Sequence, residues 1–113
     1  MDQNIVELAR RLGERIRESE RFKAFNAAEE AADQDEEARE LRRQLEEQSL
    51  KIARLETERQ PVEPEDKRAL QNLRARAHAN ARLQELARAQ ADYMQLMKQV
   101  NDALYEVLNP PTS

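Results

Sequence analysis

From Leu83 to Leu108 the apolar positions return every three or four residues: Leu83, Leu86, Ala87, Tyr93, Met94, Met97, Val100, Leu104, Val107 and Leu108, with Gln90 and Asn101 set into the same stripe. An α-helix imposes that period, so the segment predicts one long helix with a single apolar face. The stripe fills the a, d and a flanking heptad position over about seven turns, which is wider than one neighbouring helix covers. Part of it is expected to pack on the rest of the chain, and part on a second copy or another protein. The oligomer interface is expected at Leu86, Gln90, Tyr93, Met94, Met97, Val100, Asn101 and Leu104.

The same period runs through the rest of the chain. Ile5, Leu8, Ala9, Leu12 and Ile16 define a short amphipathic helix ending near Ser19. Ser19 is a candidate N-cap for a second helix, with Glu20 in its first turn and Phe22, Phe25, Ala28 and Ala32 on one side. Asp33 and Asp35 offer caps for a third, whose seam Ala38, Leu41, Leu45, Gln48, Ile52, Leu55 alternates steps of three and four. The break comes at Glu58 to Pro64, where Pro64, Glu65 and Asp66 have the form of a helix first turn. A fourth helix follows with Leu70, Leu73 and Ala77 inward, and Asn80 is expected to cap the fifth. The third and fourth helices should form a hairpin with its tip at Pro61, placing residues 38–47 beside residues 76–85.

The predicted fold is therefore all-α: short N-terminal helices, a long antiparallel hairpin and a long C-terminal helix, assembled as an oligomeric bundle. One domain is expected over 1–108, with a disordered tail over 109–113. Composition agrees, since charged residues reach 37% of the 113 positions and aromatics only 4%, leaving little for a deep globular core. Ala, Leu, Glu, Arg and Gln dominate, and all are good helix formers. Apolar runs fall far short of the roughly 20 residues of a membrane span, and the start of the chain lacks the order of a secretory signal. With no cysteine, the reading is a cytoplasmic protein with no disulfide or thiolate chemistry.

Charge is uneven along the chain. Glu29 to Glu47 carries nine acids against Arg39, Arg42 and Arg43, whereas Lys67 to Arg88 carries six bases against Glu85. In a hairpin the two runs answer each other across the seam. Exposed pairs are worth about 0–1 kcal/mol each, so they set register and solubility more than stability. An alternative reading makes Lys67, Arg68, Arg74, Arg76, Arg82 and Arg88 a face for RNA or a protein partner. No aromatic is interleaved for base stacking, and the net charge is -4, so direct nucleic-acid binding is the weaker reading.

Candidate chemistry is sparse. The single His78 has no Glu three residues away, so a helical di-iron motif cannot be assembled around it. Asp35, Glu36, Glu37 and Glu40 lack the glycine turn of a calcium loop and sit where acids favour the helix dipole. Gly13 alone cannot cradle a phosphate. No catalytic, metal or cofactor residue is assigned, and an enzyme is not expected. Gln48, Gln90 and Asn101, polar on apolar seams, either fix register and oligomer state or lie at a wet edge. An uncharacterised coiled-coil holdase, requiring an exposed apolar cleft, is a further alternative.

Ala9, Leu12, Ile16, Ser19, Phe22, Phe25, Ala28, Asp35, Ala38 and Leu41, in that order, resemble the opening of the YlbF/YmcA family of small helical bacterial proteins. Asn80, Leu83, Ala89, Tyr93, Leu96, Met97 and Val100 are similarly placed to its last helix. The resemblance implies a non-enzymatic, oligomeric adaptor. Some family members act in an accessory complex of ribonuclease Y, affecting RNA maturation and through it competence, sporulation and biofilm formation. The chain departs in two respects. It has no cysteine, so the iron–sulfur binding attributed to that complex does not carry over, and Asn80-Ala81 stands where the family often has Asn-Pro.

Overall fold

The computed structural model describes residues 1–112 and is all-α. Five helices follow one another: α1 (Asp2–Arg17), α2 (Glu20–Gln34), α3 (Glu36–Thr57), α4 (Pro64–Ala79) and α5 (Ala81–Leu108). The C-terminal tail expected to be disordered includes Ser113, which lies outside the described residues. Asn109 still donates its backbone N–H to the Tyr105 carbonyl, and the helical pattern is lost before Pro110.

Three of the four helix junctions are made by a side chain that competes for backbone hydrogen bonds. Ser19 Oγ accepts the Phe22 N–H at 3.2 Å and donates to the Ile16 carbonyl at 2.6 Å, closing α1 and opening α2 at once. Asp35, extended at φ -90 and ψ 117, accepts the Ala38 N–H at 3.3 Å and separates α2 from α3 by a single residue. Asp33 does not cap. Its carboxylate takes Arg42 at 3.0 Å and its carbonyl takes Arg39. Asn80 Oδ1 accepts the Leu83 N–H at 3.0 Å, so α4 and α5 are two helices. Gln84 reaches back over the same break to the His78 carbonyl. Caps of this kind are worth about 1 kcal/mol each.

The chain divides into two packing units. One is the continuous stretch Glu29–Leu86, in which α3 and α4 form the expected hairpin. Ala32, Ala38 and Leu41 are buried here, and Leu45, Gln48, Ile52, Leu55, Leu70, Leu73 and Ala77 are half-buried along the seam. At about 25 cal/mol per Å² of apolar area, full burial of Leu41 alone contributes about 2 kcal/mol. Gln48 donates to the Asp66 carbonyl at 2.9 Å, and Lys51 pairs with the Asp66 carboxylate at 2.9 Å.

Those contacts correct the predicted register. With residues 48 and 51 opposite 66, residues 38–47 lie beside roughly 68–77 and not beside 76–85. The loop explains the shift. α3 ends in a left-handed Arg59 (φ 57), with Gln60 N–H bonded to the Leu55 carbonyl and Arg59 N–H to that of Glu56, the Schellman pattern. Residues 60–63 then run without helical structure, Glu63 being extended at ψ 151, and Val62 is half-buried. Extended chain rises about 3.3 Å per residue against 1.5 Å in a helix, so four residues cover the length of about nine helical ones.

The other unit joins Met1–Ala28 to the segment from Ala87 onward. Ala28 and Ala89 are buried in it, and Tyr93 stands edge-on to both Phe22 and Phe25, with ring centroids 5.4 Å away in each case. Edge-to-face pairs at this spacing contribute about 0.5–1.5 kcal/mol beyond burial.

Candidate interaction surface

α1 presents an apolar face that the described residues leave largely open. At about 100° per residue, Leu8, Leu12, Ile5, Ile16 and Ala9 fall within roughly a third of its circumference. No α1 residue is buried. Exposure grows away from the α1–α2 junction: Ile16 is half-buried, Leu12 is 38% exposed, Leu8 63% and Ile5 66%.

α5 ends in the same way. The half-buried positions Leu83, Leu86, Tyr93, Leu96, Met97 and Val100 line one side of it with buried Ala89. Leu104, Val107 and Leu108 continue that side, yet beyond Val100 every described residue is exposed, Leu104 at 54% and Val107 at 80%. The chain as a whole exposes 9424 Å².

The structure sorts the stripe residues expected to form an oligomer interface. Leu86, Tyr93, Met97 and Val100 are half-buried within the chain, with Tyr93 held by Phe22 and Phe25. Gln90, Met94, Asn101 and Leu104 are exposed. Ile5, Leu8 and Leu12, read in the sequence as one side of a short amphipathic helix, were not among the residues expected at an interface. The strict amphipathic period of α1 was visible, but whether the chain would cover that face was not.

The six basic positions do not form one stripe. Lys67, Arg68, Arg74 and Arg76 lie on α4 and Arg82 and Arg88 on α5. Arg74 and Arg76 are about 200° apart around α4. Arg76 and Arg82 line one open cleft of about 420 Å³ together with Asp35, Glu37 and Asn80, a mixed lining of bases and carboxylates.

Titrating groups respond to local pairs. The Lys51 ammonium beside Asp66 holds that carboxyl below its ordinary 3.8, and Arg43, then Gln44, lowers Glu40 from 4.5. Asp102 raises Lys98 above its ordinary value. Among the described residues no group of three or more His, Cys, Asp or Glu side chains could hold a metal ion. No helix among them is long and apolar enough to cross a membrane.

Residues 5–109 match the family described as control of competence regulator ComK, YlbF/YmcA. Among solved structures, the chain is similar to the X-ray crystal structure of Bacillus subtilis RicA in complex with RicF. The TM-score is 0.82 at 16% identity, over 96% of each chain. Comparison with curated proteins gives no match.

Proposed function

Because the chain belongs to the YlbF/YmcA family, we propose that it is a non-enzymatic adaptor, working by holding other protein chains on the apolar faces of α1 and the end of α5. The observation that carries this reading is α1 itself. Isolated helices of about 16 residues are marginal in water, so a fully helical α1 with an open apolar face implies a covering partner. The structural neighbour is one protein in complex with another, which supports a protein partner.

Within this reading the chain is a cytoplasmic accessory factor in a ribonuclease-associated assembly, acting on RNA processing, competence or sporulation-type development. The family description, which names control of a competence regulator, supports a regulatory role. The test is genetic: Leu8→Asp with Leu12→Asp in the native gene should reproduce the RNA-processing and developmental defects of deleting it, while the purified variant keeps its helicity. Wild-type transcript ends in the variant would overturn the reading. If charge reversal at Arg74 and Arg76, with α1 intact, abolished salt-sensitive RNA binding, the basic residues would be the functional face instead.

A further inference from the structure

We propose that Asp35 and Asn80 are the two halves of one hinge, on which the α3–α4 hairpin swings as an arm, and that exposed side chains spanning both residues form its latch. The inference goes beyond the adaptor reading and does not depend on it.

The two joints match. Each is a single residue between helices, α2 and α3 at Asp35, α4 and α5 at Asn80. Asp35 has φ -90 and ψ 117 and Asn80 has φ -80 and ψ 124, nearly the same extended backbone. Each side chain accepts the N–H three residues on, from Ala38 and from Leu83. Both residues line one cleft of about 420 Å³. Gln48 and Lys51 meet Asp66 in the hairpin, and at that register Asp35 falls opposite residues 79–82. The joints therefore lie side by side, and a rotation at one is matched at the other.

Neither joint can give way to a continuous helix. At about 100° per residue, Phe22, Phe25, Ala28 and Ala32 would stand about half a turn from Ala38, Leu41, Leu45 and Gln48 on a helix run straight through Asp35. Asp66, Leu70, Leu73 and Ala77 would stand about half a turn from Leu86, Ala89, Tyr93 and Met97 on one run straight through Asn80. Straight helices would turn one of the two seams to water, so the breaks persist and a change of angle falls on them.

Three side-chain bonds span the joints. Across Asp35, Arg42 donates to the Asp33 carboxylate at 3.0 Å and Arg39 to the Asp33 carbonyl at 3.3 Å. Across Asn80, Gln84 donates to the His78 carbonyl at 2.6 Å. All three are exposed, and together they tie the last turn of α2 and the first turn of α5 to the hairpin. Releasing them leaves the α3–α4 seam and the Asp66 bonds intact, so the arm moves as one body.

The chain has no native cysteine, so spin labels can be placed in pairs. Glu58→Cys near the hairpin tip and Gln95→Cys on α5, both exposed, give an interspin distance by double electron–electron resonance. α3 has 22 residues, about 33 Å of helix, so a swing of about 10° moves the tip about 6 Å. The expected result is one narrow distribution in the otherwise wild-type chain at low salt. Asp33→Ala with Gln84→Ala should broaden it by about 6 Å or more at unchanged helicity, and salt, which screens the Asp33 pair, should act in the same direction. Adding Ala81→Pro, which suits the first turn of α5 and confines Asn80 to extended backbone, should narrow it again. Labels at Glu36→Cys and Glu65→Cys, both within the arm, should keep one distance throughout.

A tip-to-α5 distribution that ignores removal of the latch overturns the hinge. Broadening that Ala81→Pro leaves unchanged, or that the pair within the arm shares, overturns the assignment of the motion to Asp35 and Asn80.

Discussion

At the scale of single residues, several side chains are held for reasons the structure states plainly. Gly13 sits in the interior of α1, and a Cβ added there would meet nothing within 4 Å in its own chain. Gly13→Ala should therefore raise stability by about 0.5–1 kcal/mol, read as a higher Tm. Arg59 occupies a backbone region that suits glycine, and Arg59→Gly should stabilise the hairpin by about 1 kcal/mol in a denaturant titration. Tyr93→Ala removes two edge-to-face contacts as well as packing, and should lower the unfolding free energy by about 2–3 kcal/mol. Gln48, readable in the sequence either as fixing register or as lying at a wet edge, donates to the Asp66 carbonyl across the hairpin. Gln90 and Asn101 carried the same signal but are exposed. A heptad position does not say how far a neighbouring helix extends.

At the scale of elements, boundaries were legible wherever a cap or a proline wrote them: Ser19, Asp35, Pro64 and Asn80 all stand where a helix begins. The hairpin register was not legible. It depends on the rise of residues 60–63, and no side-chain pattern announced that they would run back extended. Arg59 concealed the Schellman turn, because the usual glycine signal was missing. The pH response of the hairpin belongs at this scale. Asp66 has its carboxyl pKa depressed by Lys51, so the pair's contribution is fully present above the ordinary 3.8 and is lost as pH falls below it through the depressed value. Glu40, lowered by Arg43, adds to the loss as pH falls below its ordinary 4.5 through the depressed value. Asp66→Asn should therefore flatten the acid limb of stability against pH, an outcome that chemical denaturation at pH 3 and pH 6 would check.

At the scale of the whole molecule, the apolar stripe of α5 was recognised from the sequence as too wide for one neighbour. Its division was not. Leu83, Leu86, Tyr93, Leu96, Met97 and Val100 are half-buried within the chain, Gln90 and Met94 between them are exposed, and the part beyond Val100 is open. At Tyr93 the covering side chains are Phe22 and Phe25 of α2, a tertiary fact that leaves no local mark in α5. Leu104→Asp and Met97→Asp should accordingly behave differently. The first is expected to change assembly without loss of helicity, and the second to lower thermal stability as well, since Met97 is half-buried. Circular dichroism melts beside light scattering would separate them.

One of the two packing units is a single run, Glu29–Leu86, while the other is built from segments on either side of it. During synthesis the hairpin needs contacts that are close in sequence, and it can form as soon as α4 has left the ribosome. Phe22 and Phe25 have no such option, because Tyr93 is made about 70 residues after them, several seconds later at typical elongation rates. Throughout that interval α1 and α2 wait with their apolar sides open, so the order of translation makes the first 28 residues the part of the nascent chain most exposed to chaperones and to neighbouring chains on the same message.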